Sequence, residues 1–168
     1  MANFSFIQKS PQRALLLALS AISAGMLGVA LIAQYGFGLY PCELCMLQRY
    51  PYVAIVALGI FGAIVAKTPH HLRIMVWLCA LLLLADAGIA AYHAGVETGL
   101  FPGPAACTSS DKPGETLEEM RAAIMNAQLV PCDQPMAHVL GISMAGWNAI
   151  AASLLFIGTI IIVRKQKS

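Results

Sequence analysis

The stretch LRIMVWLCALLLLADAGIAAY, residues 72–92, decides the fold. It is long enough to cross the hydrocarbon of a bilayer, which takes about 20 apolar residues. Its only acid is Asp86. Three further runs of the same kind lie at roughly 14–34, 46–66 and 142–163. Inside hydrocarbon every backbone N–H and C=O must be paired within the segment, so each run is expected to be a helix. Short connections make successive helices antiparallel. The expected fold class is an all-α membrane protein, an up-down bundle of four transmembrane helices, in one domain over residues 1–168. Composition agrees, because 59% of the residues are hydrophobic and 11% charged, whereas a soluble domain carries about 25% charged residues.

The first run follows Lys9 and Arg13, as the core of a secretory signal would. It is longer than the roughly 7–15 residues of such a core, and no A-x-A-like site ends it. It is therefore expected to stay as a helix. Lys9 and Arg13, then Lys67 and Arg73, then Arg164, Lys165 and Lys167 flank the spans on one side, in segments without Asp or Glu. The other side holds Glu43, Glu97, Asp111, Glu115, Glu118, Glu119 and Asp133. The positive-inside rule puts both termini in the cytoplasm and the two intervening loops, about 35–45 and 93–141, outside it. The net charge of +2 is a signature of topology, and no nucleic-acid partner is expected from it.

The first outer loop is rimmed by Tyr35, Phe37, Tyr40, Tyr50 and Tyr52, the residue types that gather at membrane interfaces. It carries Cys42-Glu-Leu-Cys45. The second outer loop is rich in Gly and Pro and reads as mostly irregular. Within it, Thr116-Leu-Glu-Glu119 fits a capping box. Leu117, Met120 and Ile124 follow at helical spacing, so a short helix is expected over 116–129.

Four of the five cysteines fall in these loops: Cys42, Cys45, Cys107 and Cys132. Cys-x-x-Cys spacing suits a disulfide that is made and broken, since it brings two sulfurs together and lowers the thiol pKa of one. As a static bridge it closes a very small loop and restrains the unfolded chain little. The pair Cys107 and Cys132 closes a longer loop and fits a structural or an exchanging bridge equally well. Two static disulfides in a membrane scaffold are one alternative. A zinc site built from all four cysteines is another, although the usual signature has two close pairs and the second pair here is 25 positions apart. No resident metal is expected.

Cys45 is expected to open the second helix, where free N–H groups favour an anion. Arg49 lies four residues on, on the same helical face, and can stabilise a thiolate. The plainer reading is an arginine reaching for headgroup phosphates. A dithiol yields two electrons and two protons, and the chain carries no haem, flavin or iron–sulfur motif. A lipid-soluble quinone reaching Cys45 from the bilayer is the economical acceptor. His93 and Glu97, four apart at the outer end of the third span, could relay protons or orient a quinone oxygen. They could equally be polar residues at a helix end. Asp86 is a functional candidate by its depth in the membrane, or the partner of a neighbouring helix residue such as Asn148. Cys79 lies too deep to reach the outer sulfurs and reads as a packing residue.

Together these residues resemble the DsbB family of bacterial disulfide-generating membrane proteins. The likeness covers essentially the whole chain. It rests on the four spans, Cys42-Glu-Leu-Cys45 followed by Met-Leu-Gln-Arg49, Tyr92-His-Ala-Gly-Val-Glu97, Gly103-Pro-Ala-Ala-Cys107 and Pro131-Cys132-Asp. The resemblance implies a quinone-dependent thiol oxidase of the bacterial inner membrane, with periplasmic cysteine loops. A reduced DsbA-like protein of thioredoxin fold would attack the Cys107–Cys132 bridge and form a mixed disulfide at Cys107. Cys132 would then attack Cys42, and Cys45 would leave as a thiolate against a ubiquinone or menaquinone, helped by Arg49. His93 and Glu97 match the family's segment near the quinone. The second loop lacks an identifiable basic or aromatic docking surface, so the partner is implied by the resemblance alone.

Overall fold

The computed structural model describes residues 10–104, 116–118, 121 and 130–166. Four of its helical segments are long and apolar enough to cross a membrane. Helix α1 runs Pro11–Leu31 and continues into a π-helical turn, Ile32–Gly36. A short α2, Glu43–Leu47, leads into α3, Arg49–Val65. Helix α4 runs Pro69–Glu97 and α5 runs Met144–Lys165. The expected all-α, four-span architecture is therefore what the chain forms.

The helices outrun the apolar runs because polar caps set their ends. Thr68 Oγ1 accepts the His71 N–H at 3.3 Å, with Pro69 at the first helical position of α4. At the far end Gly99 takes φ 73, the Leu100 N–H reaches the Gly95 carbonyl at 2.8 Å, and the Gly99 N–H reaches Val96 at 3.0 Å. This Schellman closure carries α4 a full turn past Tyr92, so His93 and Glu97 are helical. Ser143 Oγ accepts the Gly146 N–H at 3.1 Å and starts α5. The break at Gln48 follows from Pro51, which has no N–H to give and crowds the carbonyl of Leu47.

A feature the sequence reading lacks is an antiparallel hairpin, β1 His138–Val139 with β2 Ile142–Ser143. Leu140 and Gly141 both have positive φ, 54 and 80, the pattern of a two-residue turn whose twist matches its strands. Strands of two residues leave no alternation to read. Of the helix expected over 116–129, Leu117, Glu118 and Arg121 are helical, and the rest lies outside the described residues, as does Cys107.

Helix α1 packs on α3, α3 on α4, and α4 on α5. The core is formed by Leu16, Leu19, Ile55, Val76 and Leu83, with Cys79 packed among them. The Arg13 guanidinium donates to the Ala66 carbonyl at 2.9 Å, joining the start of α1 to the end of α3 as antiparallel neighbours must. Val29, Ile64, Leu81 and Leu154 are exposed, an apolar exterior suited to lipid. Gly59 lets α1 and α3 approach: a Cβ there would stand 2.8 Å from the Leu16 carbonyl oxygen and collide with Ser20. The variant Gly59→Val is expected to cost about 1–3 kcal/mol by overpacking. The check is a lowered thermal midpoint of the purified protein, and an unchanged midpoint would contradict this account of the seam.

Candidate functional site

Cys42 is the N-cap of α2. Its Sγ accepts the Cys45 N–H at 3.4 Å, where a Ser or Thr oxygen usually sits. The sequence reading put Cys45 at the helix start. In the structure Cys45 is the third residue of α2, and the free amide points at Cys42 instead. The two sulfurs are 3.2 Å apart and both are free thiols. Cys42 is buried towards α4, whereas Cys45 is half-buried.

The hydrogen bond with the Cys45 thiol, the His93 ring and the Cys45 backbone N–H hold the Cys42 thiol well below its ordinary range, against the opposing effect of burial. Of the two sulfurs, Cys42 is the one whose charged form these contacts favour. His93 Nε2 lies 3.5 Å from Cys42 Sγ and 3.7 Å from Glu97 Oε1. Glu97 Oε2 is buried without a partner among the described residues.

Cys132 is disulfide-bonded and buried. It shares one apolar cluster with Cys42, Leu44 and Val96, edged by Cys45, Tyr92 and Val130. The chain thus brings a bonded sulfur from the second loop to the buried side of the Cys42–Cys45 pair. Cys132 is disulfide-bonded in this structure and so offers no thiolate to a four-cysteine zinc site in this state. Cys42, Cys45 and His93 alone bring three donor atoms within 4.8 Å.

On its other side Cys45 borders a cleft of about 420 Å³ between α1 and α5. Its walls are apolar, with Met26 and Leu27 facing Met144 and Trp147, and the hairpin contributes Val139. The Trp147 indole N–H donates to the Val139 carbonyl at 2.9 Å and pins the hairpin to α5. The polar groups of the cleft are Cys45, Gln48, Arg49, Tyr52 and Asn148. Arg49 donates to Gln34 Oε1 at 2.7 Å, a bond made possible by the π turn that presents Gln34. Its buried Nε has no partner among the described residues. Cys45 and Arg49 therefore share the cleft wall, while His93 and Glu97 do not line it and stand beside Cys42.

A chain of side-chain hydrogen bonds runs under the site. The Tyr52 hydroxyl donates to Asn148 Oδ1 at 2.7 Å. Asn148 Nδ2 donates to Asp86 Oδ2 at 3.2 Å and to Gln48 Oε1 at 2.8 Å. Gln48 Nε2 lies 2.8 Å from His93 Nδ1. The pairing of Asp86 with Asn148 matches the sequence expectation. Tyr52 corrects one: of the five aromatics assigned to the interface, Tyr35, Phe37, Tyr40 and Tyr50 are exposed, but Tyr52 is buried. Gln48 escaped the sequence reading. Its signal was spacing, since 48, 52, 55 and 59 recur on the inward face of the second span, and all four are buried.

A reduced dithiol at the end of a membrane-spanning bundle, bordering an apolar cleft and packed against a disulfide, defines a class: membrane thiol–disulfide oxidoreductases. The family model described as disulfide bond formation protein DsbB matches residues 12–162, and the chain belongs to that family. It is similar to an uncharacterized protein of Rickettsia prowazekii, with 27% identity over 98% of this chain and 96% of the other. It is also similar to disulfide bond formation protein B of Aromatoleum aromaticum, at 29% over 99% of each, and of Cupriavidus metallidurans, at 30% over 92% and 95%.

Proposed function

We propose that this membrane disulfide oxidoreductase is a thiol:quinone oxidase of the bacterial inner membrane that reoxidises a periplasmic DsbA-like dithiol protein. The observation that carries the reading is the two-sided placement of the Cys42–Cys45 pair. Cys42 faces the cluster containing bonded Cys132, and Cys45 faces the cleft with Arg49. Arg13, Lys67, Arg73, Arg164 and Lys165 gather at the opposite end of the bundle. By the positive-inside rule that end and both termini are cytoplasmic, which leaves the cysteines periplasmic.

The cleft suits a quinone headgroup. Its volume falls within the roughly 300–1,000 Å³ of small-molecule sites. Its walls are apolar, and the Arg49 guanidinium at its border is the charged donor within reach of a carbonyl oxygen. Ubiquinone and menaquinone share these chemical features. Bound there, a quinone supplies the acceptor for two electrons and two protons.

The chain's own residues perform the exchange. One thiolate of the reduced partner attacks the Cys107–Cys132 bridge, forming a mixed disulfide at Cys107 and releasing Cys132 as a thiolate. The partner's second thiol resolves the mixed disulfide, so the partner leaves oxidised. Cys132 attacks Cys42 of the Cys42–Cys45 bond, and Cys45 departs as a thiolate facing Arg49. Attack of Cys107 on the Cys42–Cys132 bridge restores the loop disulfide and leaves Cys42 and Cys45 reduced; a bonded Cys132 beside two free thiols is consistent with that resting state. His93 then supports the Cys42 thiolate, and the apolar walls keep water from the Cys45 sulfur.

The test is optical. Purified protein mixed with a reduced thioredoxin-fold donor and ubiquinone or menaquinone should bleach the quinone absorbance in proportion to donor oxidised. Donor that remains reduced in the presence of either quinone would refute the reading.

A further inference from the structure

We propose that Asp86, deep in the third span, is a positioning residue that fixes the tautomer of His93 through Asn148 and Gln48, and so keeps an N–H directed at Cys42. The proposal rests on the reading of Cys42 as a working sulfur.

Each link follows from donor and acceptor chemistry. Asp86 is fully buried, and its Oδ2 accepts from Asn148 Nδ2. On the other edge of the Asn148 amide, Oδ1 accepts from the Tyr52 hydroxyl. Both orient the amide the same way, so its NH₂ also meets Gln48. Gln48 must then present Oε1 to Asn148, since two NH₂ groups cannot bond to each other. That leaves Gln48 Nε2 facing His93 Nδ1 at 2.8 Å as the donor. Nδ1 is consequently the bare nitrogen of the neutral ring, and the proton sits on Nε2, 3.5 Å from Cys42 Sγ. Reversing any amide would place like groups together and favour the tautomer whose bare Nε2 repels a thiolate. Gln48, His93 and Asp86 are all buried, so water offers little competition for these bonds.

Among the described residues, the titratable groups facing Cys42 are Cys45 from α2 and His93 from α4, with Glu97 Oε1 3.7 Å from the same His93 Nε2 as a second acceptor for its proton. The same tautomer has a second effect. Cys42, Cys45 and His93 are spaced for a thiophilic metal ion, yet a protonated Nε2 has no lone pair to give. The lock at Asp86 thereby discourages metal capture by the reduced site.

The experiment uses the full chain, reduced, in detergent micelles, with no quinone or partner, so its outcome is independent of turnover. Nitrogen-15 spectra of histidine-labelled protein, with His93→Gln as the blank, read the tautomer. Iodoacetamide labelling of the Cys42 peptide against pH, with the alkylated sulfur located by fragment mass spectrometry, reads the thiolate. The wild type should have its proton on Nε2. Asp86→Leu, which keeps bulk but removes the acceptor, should mix the tautomers. It should also raise the pH of half-maximal Cys42 labelling by about one to two units. Asp86→Asn keeps an acceptor oxygen and should retain the wild-type tautomer and labelling midpoint. Should Asp86→Leu fail to fold, Asn148→Leu cuts the next link and carries the same expectation. An unshifted tautomer and midpoint in the folded leucine variant would overturn the proposal. So would Asp86→Asn behaving like leucine, because charge rather than orientation would then be the cause.

Discussion

Replacing Cys45 with serine is expected to lower quinone-linked thiol oxidation by at least about a thousandfold while leaving the four spans folded. Serine occupies nearly the same volume, and Cys45 is only half-buried, so little packing is lost. The chemistry has no substitute. A hydroxyl cannot form the bond to Cys42, and no other free thiol among the described residues borders the cleft. Cys42 would be left with no sulfur to bond on its own helix. It should attack the loop bridge at Cys132, releasing Cys107, and the resulting Cys42–Cys132 link would accumulate. Peptide mapping without reductant checks the link, and stopped-flow quinone absorbance checks the rate. Wild-type turnover in this variant would remove Cys45 from the electron path and with it the proposed role of the cleft.

The second large effect belongs to Arg49, the single charged residue bordering the cleft among the described residues. Arg49→Met should reduce kcat/KM for quinone by about tenfold to a hundredfold, the range for loss of hydrogen bonds to charged groups. The loss has two parts. One is the positive charge beside a developing Cys45 thiolate. The other is geometric, since the bond to Gln34 Oε1 holds the guanidinium in place. Arg49→Lys keeps the first and loses the planar fork, so it should recover only part of the rate. Steady-state titration with quinone measures both variants. Unaltered kinetics in Arg49→Met would mean that the arginine only touches headgroups.

The architecture was legible in the sequence because hydrocarbon leaves the backbone few options. Runs of apolar residues long enough to span must be helices, and the two cysteine loops had to share an end. What the runs did not give was their own limits. Thr68, Ser143 and Gly99 set them, and cap geometry depends on backbone angles that composition does not carry. The cysteines were legible by spacing, and Arg49 by its helical offset from Cys45. The division of labour within the pair was not. Cys42 takes the helix start because the chain turns extended there, with φ −73 and ψ 175, which no residue pattern announces. His93 lay at the predicted end of the bundle, but its face was undetermined. Only the packing of α4 aims it at Cys42 and away from the cleft. Gln48 was overlooked because a neutral amide among charged and sulfur-bearing neighbours draws no notice until its two partners, His93 and Asn148, are seen to come from different helices.

The sulfur that caps α2 ties oxidation number to backbone stiffness. As a thiolate, Cys42 Sγ is a charged acceptor for the Cys45 amide, and the first turn is clamped. Once that sulfur bonds to Cys132 its charge is gone and this clamp slackens, whereas a bond to Cys45 replaces it with a covalent staple across the same turn. The lip of one membrane span is therefore held by a hydrogen bond when electrons have arrived and by a covalent link when they have left, and it is most pliant in the crossed state between the two.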